Sequence, residues 1–423
     1  MKKLKVILIG AGNRGRIYVR HMKEHPFEVV AVADMVKERR DYVKNLYDIP
    51  EEMCFATWEE LLSRPKFADI AIIATSDSLH YGPAMKAIEL GYDLLLEKPV
   101  APTPEECADI ANAAKAKGVK ILVCHVLRYA PFFTTIKEYI QSGKLGKIIS
   151  IHHCENVGNV HHSHSYVRGN WGNTGRSSCM LLAKSCHDID IIQWLMGSKC
   201  TKVSSFGSLT YFTEENAPAD ATERCIDCPH VKDCYYSAVR IYVNNENEIG
   251  CRDYCTPEVN PTDEQVMEAL KTTQYGKCVY KCDNDVVDHQ VVNMEFENGG
   301  TASFNMSSLN KGGRFIRVMG TDGEIYGDMT ENTIQYFDFK TRTFETTMPT
   351  GKKLDDTIVG GHGGGDQGIV KALYDYIAND NKDEWLSEIG ISVQNHLATF
   401  AAEKARLEER VVNVVDYEKE FLK

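Results

Sequence analysis

Along the first 125 residues the apolar positions fall into short runs separated by stretches with helical spacing. Runs at 5–9, 29–33, 68–74, 93–96 and 120–124 are brief and nearly all apolar, as in strands buried on both faces, whereas 15–23, 58–62, 81–90 and 104–117 carry a helical period. Strand and helix in alternation predict an α/β unit with a doubly wound parallel sheet, the Rossmann arrangement. After His125 the texture changes. Residues 291–296 and 301–306 alternate apolar and polar around Asn298-Gly299-Gly300, a hairpin turn, and 315–319 and 333–339 continue the alternation. With helices expected at 183–195, 367–378 and 391–409, this half reads as an α+β unit on a large open, mostly antiparallel sheet. The expected division is 1–125 and 126–423, with a Cys-rich insertion around 222–256.

Composition narrows the partners. A chain of 423 residues with 43% hydrophobic content can bury ordinary cores in two domains. Its net charge of −12 comes without any basic block, which argues against nucleic acid and anionic membranes. No run approaches the ~18 apolar residues of a membrane span. The basic start meets a glycine turn at Gly10 too soon for a signal peptide. A cytoplasmic protein with fourteen reduced cysteines is the expectation.

Gly10-Ala11-Gly12-Asn13-Arg14-Gly15 follows a strand, opens a helix and stands nineteen residues before Asp34, which ends the next strand. The glycines allow a tight turn and close approach of backbone N–H groups to a pyrophosphate at the positive end of the helix. Asp34 can accept from a ribose diol and repels a 2′-phosphate, so NAD is favoured over NADP, with Arg39 and Arg40 tempering the preference. Further on, Glu97-Lys98-Pro99 leaves an apolar strand where the carboxyl ends of a parallel sheet bind ligands.

Together with Asp34, the Ala74-Thr75-Ser76 segment and His80, the glycine turn and Glu97-Lys98-Pro99 resemble the glucose-fructose oxidoreductase, inositol 2-dehydrogenase and rhizopine-catabolism (Gfo/Idh/MocA) family. Residues 186–197, opening Cys186-His187-Asp188, are similar to the active-site helix of its second domain. The resemblance implies a nicotinamide enzyme for sugars or polyols, forming a homo-oligomer. It makes Asn13, Arg14, Thr75, Ser76, His80 and Glu97 cofactor neighbours. It makes Lys98 the donor to the reacting oxygen, His187 the general base, and Asp188, Arg128, Tyr129 and Trp171 substrate contacts. The roles agree with the chemistry, since a carbinol losing hydride must also lose a proton, and an ammonium steadies the developing alkoxide.

One position departs from the family. Where its polyol dehydrogenases carry an Asp four residues before the His, this chain has Ala183, followed by Lys184. Helical spacing puts Lys184 on the face of His187 and Asp188, either in the pocket with a pKa depressed by Lys98 or paired with Asp188. A second cation would also suit an NAD-dependent glycosidase that oxidises a sugar transiently and returns the hydride. A non-catalytic NAD-sensing protein is the third reading, which the Lys98 and His187 motifs oppose.

Cys225-x2-Cys228-x5-Cys234, with Cys251 and Cys255 beyond, has spacing suited to a structural zinc. Free thiols fit equally, ahead of an iron–sulfur cluster or disulfides, and no fourth zinc ligand is specified. His161, His162 and His164 read as solvated, and residues 283–289 as a polar pocket wall or subunit contact. The glycine-rich 360–365 stretch reads as a loop bringing His362 to substrate, with Asp366 capping the helix that follows.

Overall fold

The computed structural model describes residues 2–246, 251–258, 260–351, 362–381, 383 and 385–422. Six parallel strands, β1 (Leu4–Ile9), β2 (Phe27–Ala33), β3 (Cys54–Phe55), β4 (Ile70–Ile73), β5 (Asp93–Leu96) and β6 (Ile121–Val123), form a sheet in the order β3-β2-β1-β4-β5-β6. Alternate side chains enter opposite cores. Ile7, Ile73 and Leu96 pack under the helices Tyr81–Leu90 and Pro104–Lys117, and Leu8, Ile72 and Leu95 under Asn13–Met22 and Gly365–Ala378. The last of these helices comes from the far end of the chain. Local signals set the boundaries: the Thr103 hydroxyl accepts from Glu106 N, Pro104 occupies the first turn, and Gly118 at φ 72° ends the helix.

The second sheet has nine strands: β7 (Ile148–Asn156), β8 (Cys200–Ser208), β9 (His289–Phe296), β10 (Thr301–Ser307), β11 (Gly313–Gly320), β12 (Gly323–Asp328), β13 (Thr333–Asp338), β14 (Phe344–Thr347) and β15 (Val412–Asn413). Their order is β14-β13-β12-β11-β7-β10-β9-β8-β15. Among the described residues only the β7 and β10 pair is parallel; the others are antiparallel. Val292, Met294, Phe304, Ile316 and Val318 face a core shared with the helices Cys186–Met196 and Ile389–Leu407. The other face leaves Ile149, Phe206, Phe315 and Tyr326 exposed.

Two features depart from the expected elements. The helix expected over 183–195 is two helices, Met180–Ala183 and Cys186–Met196, broken at Lys184 and Ser185. The expected 222–256 stretch lies within the connection 209–288 between β8 and β9, whose described residues form short turns around the helix Asp263–Thr272. Its ends are pinned by carboxylates rather than lining a pocket: Asp288 accepts from Thr210 N at 2.9 Å and Tyr211 N at 2.7 Å, and Asp285 from Thr174. Among the described residues no helix is long and apolar enough to cross a membrane.

Candidate active site

A cleft with about 2360 Å³ of space, open to solvent, is lined from both halves of the chain. The three glycines do different work at its edge. A β-carbon on Gly10, at φ +91°, would lie 2.5 Å from Ala74 O, and one on Gly15 would lie 2.1 Å from Gly10 O, so both are needed for the turn to close. A β-carbon on Gly12 would meet nothing within 4 Å. Gly12 precedes the helix Asn13–Met22 without a side-chain cap, leaving the first-turn N–H groups facing the cleft for an anion such as a pyrophosphate. The turn therefore fits a dinucleotide. The Asp34 carboxylate accepts from Ala11 N at 2.7 Å and Val36 N at 2.8 Å, which holds it at the cleft beside Met35 and Arg39.

Behind the turn, Arg14 joins three segments. Its guanidinium meets Glu97 at 2.7 Å and both oxygens of Asp366 at 2.6 and 3.0 Å, while Tyr18 donates to Glu97 at 2.6 Å. The second Glu97 oxygen accepts from Lys98 N at 2.8 Å, so the strand exit is fixed from behind. Lys98 Nζ donates to Ala183 O at 2.8 Å across the cleft. Nearby, His187 is buried, with ring centroids 5.7 Å from His125 and 6.1 Å from His362, and its Nδ1 has no partner among the described residues. Burial first, then Lys98, His125 and His362, hold His187 well below the ordinary histidine range, so it is a neutral imidazole near pH 7.

A charged network backs this end of the cleft. Lys184 Nζ lies 3.1 Å from Glu155, which also pairs with Arg314. Arg314 Nε lies 2.9 Å from Asp188, whose same oxygen is 2.7 Å from His153. Burial, assisted by Arg314, lowers the Lys184 pKa against the opposing pull of Glu155.

The comparisons agree with this geometry. Residues 4–125 match the model of an oxidoreductase family with an NAD-binding Rossmann fold, and residues 137–405 match that family's C-terminal α/β domain. The chain belongs to the Gfo/Idh/MocA oxidoreductase family. Inositol 2-dehydrogenase from Pseudarthrobacter chlorophenolicus is 28% identical over 57% of this chain and 67% of its own. A 2,7-anhydro-N-acetylneuraminate hydratase from Mediterraneibacter gnavus is 27% identical over 49% of this chain, which spans about half (53%) of that protein. The solved structure of a levoglucosan dehydrogenase in complex with NADH and levoglucosan superposes with a TM-score of 0.70 at 19% identity, covering 98% of this chain and 100% of that one.

In this Gfo/Idh/MocA chain the cleft gathers Gly10, Gly12, Asn13, Arg14, Asp34, Thr75, Ser76, Glu97, Lys98, Trp171, Lys184, His187 and His362. Other expected contacts lie elsewhere. Arg128 is buried in a two-pronged pair with Asp190, at 2.7 and 2.8 Å, and the Tyr129 hydroxyl bonds Ser387. Asp188 sits behind Arg314 instead of facing a substrate. His80 is buried, its ring nitrogens 2.8 Å from Pro99 O and 3.2 Å from Thr75 O, and so braces two cleft loops. The helix break turns Lys184 to Glu155 and away from Asp188. Asp366 is an ion-pair partner of Arg14 and not a cap, since Gly364 holds the cap position; Gly360 and Gly361 lie outside the described residues. His162 and His164 are buried, not solvated, and His161 lines the cleft.

Sequence reasoning missed Asp77, Arg314, Tyr166, Tyr254 and Tyr275, all of which line the cleft. Asp77 accepts from Trp171 Nε1 and from Ser177, each at 2.9 Å, and the Tyr254 hydroxyl accepts from Asn13 at 2.9 Å. Asp77 follows Thr75-Ser76 and could have been added on proximity, whereas the others depend on contacts across the fold. Among the described residues no three His, Cys, Asp or Glu side chains are placed to hold a single metal ion, so Cys225, Cys228 and Cys234 do not form the zinc site their spacing suggests.

Proposed function

We propose that this protein is an NAD-dependent oxidoreductase that transfers a hydride between nicotinamide and a carbinol carbon of a sugar or cyclic polyol. The reading rests on one juxtaposition: Lys98 and the neutral His187, whose Nδ1 has no partner among the described residues, line the same cleft as Gly12 and Asp34. NAD, when bound, supplies the hydride acceptor. Lys98 has one N–H on the Ala183 carbonyl and keeps two for the substrate oxygen, where its charge favours the alkoxide. His187 takes the hydroxyl proton through a ring nitrogen that carries none. Trp171, fixed by Asp77, offers an aromatic face to a sugar ring, and Arg314 and Lys184 offer cations to its hydroxyls. The sugar and inositol enzymes among the relatives support this substrate class. The same reading takes the protein as a cytoplasmic homo-oligomer packed through the outer face of the large sheet.

The test is a panel of polyols, free sugars and chromogenic glycosides offered with NAD. NADH accumulating with a sugar or polyol is the expected result, and Lys98→Ala should cut turnover ~100-fold or more while leaving NAD affinity nearly unchanged. Unchanged turnover removes Lys98 from the mechanism. A second reading, glycoside cleavage with the hydride returned, is favoured by Lys184, which lines the cleft with buried Glu155 behind it. It predicts aglycone release without net NADH.

A further inference from the structure

Away from the cleft, the insertion encloses a small cavity walled by four cysteines: Cys225, Cys228, Cys234 and Cys278. The first three come from the turn that begins at Cys225–Asp227, and the fourth arrives from 44 residues beyond Cys234 because Arg224 and Lys277 form an antiparallel bridge. The remaining wall includes Arg168, Ser237, Tyr236 and Tyr280. A single tetrahedral ion draws its sulfurs to ~2.3 Å from one point. The thiols are not gathered that tightly. They line instead a small pocket, partly open to solvent, of about 20 Å³.

Two buried polar atoms on this wall lack partners among the described residues, Arg168 Nη1 and Ser237 Oγ. Arg168 is 2% exposed, and among the described residues no carboxylate lies within ion-pair distance of it. Its Nε donates to Lys277 O at 2.7 Å and its Nη2 to Tyr236 O at 2.6 Å and Cys225 Sγ at 3.4 Å. A buried guanidinium needs an anion, and the acidic group it touches is a cysteine thiol. Four thiolates around a shared core would supply that negative charge, and the two idle donors would then face sulfur.

We propose that Cys225, Cys228, Cys234 and Cys278 ligate a four-iron, four-sulfide cluster, with Arg168 and Ser237 donating hydrogen bonds to its sulfurs. Each thiol gives up its proton on binding iron, and the iron and sulfide come from outside the chain. Cluster core plus thiolates make a dianionic centre, which the Arg168 guanidinium half neutralises. The segment Ser163–Arg168 ends at this centre, and its Ser165 and Tyr166 line the catalytic cleft. The cluster thus fixes a wall of the active site without belonging to the hydride chemistry.

The test uses the full chain, produced with ample iron and purified without oxygen. About four irons and four acid-labile sulfides per chain, with a broad visible absorption that fades in air, are expected. Cys225→Ser and Cys278→Ser should lose the iron, whereas Cys54→Ser, in the other sheet, should keep it. One zinc per chain without sulfide would overturn the proposal. So would a metal-free protein whose four thiols titrate as free groups or are joined in disulfides. Because wild-type metal content alone decides between these results, the test survives a cysteine variant that fails to fold.

Discussion

Replacing Gly12 by Ala separates the need of the glycine turn to fold from its need to bind. At φ −63° and ψ −168° Gly12 occupies backbone space open to any residue, and an added methyl meets no atom of the described residues within 4 Å. Fold stability should therefore change by no more than about 1 kcal/mol, on the stabilising side, because the unfolded chain loses freedom. The methyl projects into the cleft before the uncapped helix start. Loss of one charge-assisted hydrogen bond to a pyrophosphate costs about 1.5–3 kcal/mol, or roughly 10- to 150-fold in Kd. Gly15→Ala is the control: its methyl would lie 2.1 Å from Gly10 O and 3.1 Å from Leu8 Cδ1, costing about 1–3 kcal/mol in stability. Thermal melts and calorimetric NAD titrations read the two effects separately. Wild-type NAD affinity in Gly12→Ala, or a melt as depressed as that of Gly15→Ala, would refute the assignment of Gly12 to the cofactor.

Other expectations follow from the same geometry. Asp34→Ala should narrow the preference for NAD over NADP and destabilise the turn by about 1–3 kcal/mol, since the carboxylate also holds Ala11 N and Val36 N; an unchanged ratio of the two Kd values would move the ribose contact elsewhere. Arg128→Ala should cost about 3–5 kcal/mol in urea unfolding by stranding buried Asp190; normal stability with a raised substrate KM would return Arg128 to the pocket. Burial lowers the pKa of His125 to about 4 and of His162, His164 and His396 to about 3. These rings are neutral when folded, so as pH falls below about 6.5 protons bind the unfolded chain first. Their contribution is complete above that pH and declines toward about pH 3–4. Denaturant midpoints should thus drop between about pH 7 and about pH 5, and a flat profile would contradict the burial of these rings.

The parallel sheet was legible because its strands are short, apolar and separated by strong punctuation: β5, and the helix Pro104–Lys117 with its Thr103 cap and Gly118 stop, match the expected bounds. Strand β7, central to the large sheet, escaped because His153 and Glu155 occupy inward positions and break the apolar alternation. The two helices around Lys184 read as one since nearly every residue from Met180 to Met196 is buried, leaving no polar stripe to mark the break. Glycine turn and Lys98 were visible because their chemistry is local. Arg128 and Asp188 were assigned to substrate because their partners, Asp190 and Arg314, are fixed by the fold rather than by neighbouring sequence. The cysteine pattern lacked Cys278 for the same reason: contacts across the fold, such as the bridge between residues 224 and 277, bring it near.

The helix Gly365–Ala378 has a consequence for synthesis. It supplies Ile369, Val370 and Leu373 to the core around β1, and Asp366 to Arg14, yet residue 366 follows residue 125 by 241 positions. At ~5–20 residues per second, the N-terminal sheet waits on the order of 10 to 50 seconds after its own strands are complete. Throughout that interval part of one apolar face is bare and the Arg14 guanidinium has Glu97 but not Asp366 as a counter-ion. A product released early, anywhere before residue 365, carries that exposed face permanently and is a substrate for chaperones and proteases. The part of the chain that holds the glycine turn is made first and finished last.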